Sequence, residues 1–129
     1  MSADQIRAFQ ISEADLDSEC REVRVEGELD LSVAAQLQER LDAAAQEDLE
    51  VLVCLENCDF IDSTGIATIL MAHKLLAGQG RRLVVCKPSR AVSRVFAITG
   101  LNDDNLVYAS IEAALNERVL PTNQAPLVN

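Results

Sequence analysis

Two short apolar runs limit the folds open to this chain. Leu49 to Leu55 holds Leu49, Val51, Leu52, Val53, Cys54 and Leu55, and Leu83-Val84-Val85-Cys86 comes later. Apolar runs of this length, without polar alternation, are strands buried on both faces, as in the interior of a parallel sheet. Parallel neighbours cannot be joined by a tight turn; they need a crossover, usually a helix. The residues between the runs supply one. A helix is predicted from Ser63 to Ala77, with Ile66, Ile69, Leu70, His73 and Leu76/Ala77 facing inward and Gly78-Gln79-Gly80 ending it.

The rest of the chain follows the same logic. Ile6 to Ser12 reads as a first strand and Glu13–Ser18 as a polar turn. Val23-Arg24-Val25-Glu26 alternates with period two, a half-exposed strand that Gly27–Ser32 ends. Ser32 is the expected cap of a helix over Val33–Gln46, whose stripe is Leu37, Leu41 and Ala44. Glu56–Asp62 is expected to be a loop. Ser89 caps a helix with Val92, Val95, Phe96 and Thr99 inward, closed by Gly100. Leu106–Tyr108 is a short strand, and Ser110 caps a last helix to about Arg118. The order β-β-α-β-α-β-α-β-α implies an α/β fold: a mostly parallel central sheet with an antiparallel N-terminal edge strand, flanked by about four helices. One domain is expected over residues 1–118. Residues 119–129, polar from Pro121 and holding two prolines, are expected to be a disordered tail.

Charge narrows the function. A net charge of -10 opposes binding to nucleic acid and adsorption to anionic lipid. No apolar run approaches the ~20 residues of a membrane span, and Met1–Gln5 is too polar and acidic for a signal peptide. The expected location is cytoplasmic. Cys20, Cys54, Cys58 and Cys86 match no zinc spacing, and His73 is the only histidine. The cysteines are read as structural thiols, with no metal and no cofactor.

In this layout the turns after successive strands meet at the C-terminal rim of the sheet, where open α/β sheets bind partners. Those turns hold Glu28-Leu29-Asp30, Cys58–Thr64 and Lys87-Pro88-Ser89. Ser63 falls at a helix N-terminus, with Asp30, Asp59 and Asp62 expected nearby. A Ser-His-Asp triad fails on distance: His73 lies ten residues along the same helix, about 15 Å away, against the roughly 3 Å of a hydrogen bond. Asp59 and Asp62 alone are weak evidence for Mg²⁺, and no catalytic residue is assigned. Two readings of Asp62-Ser63-Thr64-Gly65 stay open. One is a helix cap. The other is a phosphorylation switch: Ser63 and Thr64 are surplus hydroxyls if Asp62 caps, and a phosphate there would sit well on the helix dipole yet repel a partner that buries the bare hydroxyl.

The chain from about Val23 to Leu115 resembles the STAS domain of the bacterial anti-sigma factor antagonist family. Four landmarks carry the likeness: Gly27-Glu28-Leu29-Asp30, Phe60-Ile61-Asp62-Ser63-Thr64-Gly65-Ile66, Gly80-Arg81-Arg82-Leu83-Val84-Val85 and Phe96-Ala97-Ile98-Thr99-Gly100-Leu101. The resemblance implies that Ser63 is the switch serine and Asp30 the acidic residue beside it. It implies that the unmodified protein binds an anti-sigma factor that is also a serine kinase of the GHKL type. Phosphorylation at Ser63 would release that partner, and a PP2C-type phosphatase would reset the cycle. The expected partner-binding rim is Glu28, Asp30, Asp59, Asp62, Ser63, Thr64 and Gly65. Cys54 and Ala67 depart from the family pattern, which has Asp or Asn and a second Gly at those positions. An alternative is a constitutive STAS subunit of a larger assembly, such as a stress-signalling scaffold or a lipid-transport ABC complex.

Overall fold

The computed structural model describes residues 7–102 and 106–117. Strands β1 (Gln10–Asp17) and β2 (Cys20–Leu29) lead into helix α1 (Ala34–Gln46). Strand β3 (Glu50–Cys54), strand β4 (Cys58–Ile61) and helix α2 (Ser63–Gly78) follow. The chain then forms β5 (Leu83–Cys86), α3 (Arg90–Thr99), β6 (Val107–Tyr108) and α4 (Ile111–Asn116). The sheet runs β1-β2-β3-β5-β6, with β4 pairing β2 off this path. β1 is antiparallel to β2, and the other pairs are parallel. The expected architecture is therefore present.

The two apolar runs are the centre of the sheet. Every residue of β3 and β5 is buried. One face of the sheet packs Val23, Val25, Val51, Val53, Leu83 and Val85 against Leu37 and Leu41 of α1, Ile69 and Leu76 of α2 and Phe96 of α3. The other face gathers Cys20, Leu52, Val84 and Cys86 under Ala114 of α4. Arg82 anchors this second layer: its guanidinium donates to Glu50 Oε2 at 2.6 Å and to the Ala114 carbonyl at 2.8 Å. Of the expected inward residues of α2, Ile69 and Leu76 are buried, Ile66, Leu70 and His73 are half-buried, and Ala77 is exposed; Gly65 and Ala72 are buried as well.

Four local expectations need correction. The first strand begins at Gln10, so the expected turn Glu13–Ser18 is mostly strand, with Glu13 opposite Val23 and Asp15 opposite Arg21. β1 is an edge strand exposed at every residue but Ile11, so it carries no apolar alternation. Arg21 pairs with Asp15 at 2.7 Å and Arg40 with Glu13 at 2.6 Å, contacts that local sequence does not announce. Gly27 does not end the second strand, which continues to Leu29. Within Glu56–Asp62, Cys58–Ile61 is a strand, β4, set against the C-terminal half of β2. Ser32 does not cap α1, whose N-cap position is Val33 with no side-chain bond; the Ser32 hydroxyl donates to Asp30 Oδ1 at 2.7 Å. Ser89 and Ser110 do cap α3 and α4. Ile6 and the end of the last helix at Arg118 lie outside the described residues, as does the tail 119–129.

All four cysteines are free and buried. Burial pushes the Cys58 thiol up to about 11 and the Cys86 thiol, also close to Cys54, up to about 12. An unfolded thiol titrates near its ordinary value of 9.0. Between these values the unfolded chain holds fewer protons than the folded one, so stability falls as pH rises through the window. We expect the urea midpoint to drop between about pH 8 and about pH 10.5, and to drop less in Cys58→Ala. An unchanged slope in that variant would show that Cys58 does not drive the loss.

Candidate functional site

The site grows from the splitting of β2. Its first half pairs with β3, Cys20↔Glu50 through Arg24↔Cys54. Its second half pairs with β4, Glu28↔Phe60 and Leu29↔Ile61. Register therefore carries Asp30 and Asp62 out side by side at the ends of two parallel strands. Asp62, in extended conformation, caps α2: its Oδ1 accepts from the Gly65 N–H at 3.0 Å. Its Oδ2 accepts from the Leu31 N–H at 3.2 Å, and its own N–H donates to the Leu29 carbonyl at 3.2 Å. One carboxylate thus ties the β2–α1 loop to the start of α2. Asp30 closes its own turn, accepting from the Ser32 N–H at 3.0 Å and hydroxyl at 2.7 Å.

Gly65 makes the junction possible. A Cβ there would stand 2.8 Å from Leu29 Cγ and from the Leu29 carbonyl oxygen, and 3.0 Å from Ile61 Cγ1. The first turn of α2 therefore rests directly on the two strand ends. Thr64 is half-buried, and Ser63, one residue earlier, is exposed. With Asp62 holding the free N–H, the Ser63 hydroxyl is not needed as a cap.

From Ser63 an exposed line continues along α2 at four-residue spacing through Ala67, Met71 and Leu75, with Met71 68% exposed. Beside it lies a groove of about 380 Å³ between α1 and α2, lined by Leu41, Asp42, Thr64, Thr68, Met71 and Leu75 among others.

Asp59 carries an ion pair that local sequence does not announce. It is turned toward the N-terminal segment, where the Arg7 N–H donates to Oδ2 at 3.0 Å and Arg7 Nη1 to Oδ1 at 2.6 Å. The charge of this carboxylate is thereby offset by Arg7. Gly27 helps to seat the segment: at φ 87°, its missing Cβ leaves room for the Arg7 and Ala8 backbone. Glu28 is half-buried on β2 and, with Arg7 and Asp30, lines a hollow of about 270 Å³. Exposed Phe60, within the expected Cys58–Thr64 turn, and exposed Leu31, just beyond the expected Glu28–Asp30 turn, also belong to this rim. The third turn is joined to it, since the Ser89 hydroxyl donates to the Cys58 carbonyl at 2.6 Å.

His73 is placed as expected, half-buried on α2, with Nδ1–H donating to the Leu83 carbonyl at 2.8 Å. It does not approach Ser63 along a continuous helix. Among the described residues no helix is long and apolar enough to cross a membrane. No group of three or more His, Cys, Asp or Glu among them could hold a metal ion.

The STAS domain profile matches residues 12–114. The chain belongs to the STAS domain family. Within it, the chain groups with the anti-sigma factor antagonists. It is 33% identical over 82 residues to the anti-sigma-B factor antagonist of Bacillus subtilis strain 168, covering 64% of this chain and 75% of that one. SpoIIAA, an anti-sigma factor antagonist solved in its unphosphorylated form, superposes with a TM-score of 0.69 at 27% identity, over 84% of this chain and 94% of SpoIIAA. The phosphorylated form of this Bacillus cell fate determinant gives a TM-score of 0.65 at 26% identity, over 84% and 97% of the two chains. This STAS domain thus shares its fold with a relative solved in both phosphorylation states.

Proposed function

We propose that this STAS protein is a partner-switching antagonist whose unphosphorylated form binds a kinase-type anti-sigma factor and whose phosphorylation at Ser63 releases it. The observation that carries the reading is the division of labour at the start of α2. Asp62 does the capping, and the adjacent Ser63 hydroxyl stands exposed. It is open to another protein's active site.

The partner is taken to cover the exposed line Ser63-Ala67-Met71-Leu75 together with the rim of Glu28, Asp30, Asp62 and Thr64, while Gly65, expected on that rim, is buried and seats the helix start beneath it. Asp59 then acts through Arg7, by holding the N-terminal segment. A phosphate on Ser63 adds about -1.5 to -2 charges. The positive end of α2 tolerates it, so the fold persists. A partner packed on that hydroxyl faces a desolvated, unpaired charge and leaves. A PP2C-type phosphatase completes the cycle.

The test is incubation with a GHKL-type anti-sigma kinase encoded beside this protein's gene, with ATP, followed by mass spectrometry. We expect one phosphate, on Ser63, and none on Ser63→Ala. Phosphate only on Thr64, or none in the wild type, would overturn the assignment.

A further inference from the structure

Six of the eight described arginines, at 7, 21, 24, 40, 81 and 82, are paired with carboxylates. The other two, Arg90 and Arg94, have no ion pair and stand exposed one turn apart on α3. In a chain with 21 acidic residues against 11 basic ones, an unpaired base is an exception, and two on one helix face make a local positive field. Ile98, a further turn along, is 85% exposed. α3 holds no acidic residue, and it buries Val92 and Phe96. At 100° per residue, Arg90, Arg94 and Ile98 project from the side away from that packing. The helix starts where Ser89 grips the Cys58 carbonyl at the head of β4, the strand that leads to Ser63. Phe60 of that strand is 46% exposed.

We propose that the outer face of α3, formed by Arg90, Arg94 and Ile98, docks an acidic protein surface that carries an apolar side chain. The charge argument selects this occupant. At a net charge of -10 most of the surface repels an acidic partner, so attraction is focused where unpaired bases cluster, and α3 presents two of them against the single Lys74 on α2. Two arginines cannot offset that charge against a polyphosphate backbone, and Ile98 would meet nothing apolar there. The anti-sigma factor is the partner for this face if the reading above holds. Ser63 would then gate a complex whose encounter α3 steers.

Calorimetric binding of the full chain to that anti-sigma factor tests both ideas separately. Wild type, Arg90→Glu/Arg94→Glu and Ser63→Asp are compared at roughly 50 mM and roughly 500 mM salt, a range over which surface charges become screened. The double variant is expected to bind about tenfold or more weakly at low salt and to lose most of the wild type's salt dependence. Arg90→Gln/Arg94→Gln should fall between. Circular dichroism should be unchanged, since both side chains are exposed. If the double variant matches wild type in affinity and salt dependence while Ser63→Asp fails to bind, the α3 proposal is overturned and the switch stands. If the double variant is weakened and Ser63→Asp binds normally, the α3 proposal holds and the switch falls. A wild type that does not bind overturns both.

Discussion

Ser63→Asp is expected to weaken binding to the anti-sigma factor by at least about a hundredfold while leaving the fold as stable as wild type. Leaving a buried charge unpaired at an interface costs roughly 3–5 kcal/mol, and each 1.4 kcal/mol is a factor of ten in affinity. The same charge in isolation is tolerated. Ser63 is the first residue of α2, and an acid in a first helical turn gains about 0.3–1 kcal/mol from the dipole. The cap is unaffected, because Asp62 and not Ser63 accepts from Gly65. Ser63→Ala should bind within about fivefold of wild type, since it loses a hydroxyl whose own hydrogen bonding is worth roughly 1 kcal/mol or less. Titration calorimetry with thermal melts on the same samples separates the two effects. If aspartate and alanine bind alike, the charge is not the switch.

The second large effect concerns Gly65. Gly65→Ala should destabilise the protein by about 1–3 kcal/mol through overpacking, although alanine in a helix ordinarily gains up to about 1 kcal/mol over glycine. The added methyl would meet the Leu29 carbonyl oxygen at 2.8 Å, and that oxygen also receives the Asp62 N–H. The start of α2 must lift, and the Asp62 bridge to Leu31 stretches with it. Gly78, at the other end of the same helix, is the control: no atom lies within 4 Å of its added Cβ. Gly78→Ala should stabilise by about 0.4–1 kcal/mol. Urea titration of the two variants should move in opposite directions. A Gly65→Ala protein as stable as Gly78→Ala would mean that the junction relaxes freely.

Legibility in the sequence followed burial. β3 and β5 could be read because both faces are covered, so their composition is apolar without interruption. β4 could not, and β1 was legible as an antiparallel edge strand but with its bounds set too early. β1 is held by pairing to β2 and by ion pairs such as Arg21–Asp15, which exist only once the chain has folded. β4 has four residues, one of them Asp59 and another the exposed Phe60. At the site, Asp62 was legible as a cap because N-capping is local: the acceptor and Gly65 are three residues apart. The hold of Arg7 on Asp59 spans 52 positions and left no trace in local sequence. Ser32 shows the opposite failure. It is a good capping residue, but it stands one position before the N-cap Val33, and Asp30, two residues earlier, takes its hydroxyl.

The exchange of partners along β2 has a consequence for how such proteins diverge. The strand leaves β3 after Arg24 and meets β4 at Gly27, with a shift of register between Gly27 and Glu28. That break acts as a seam. Substitutions in the rim loops on one side need not be matched by changes in the β3–β5 core on the other. A lineage can retune which partner it recognises while inheriting its buried core intact, so a gene duplicate can acquire a new partner in few steps.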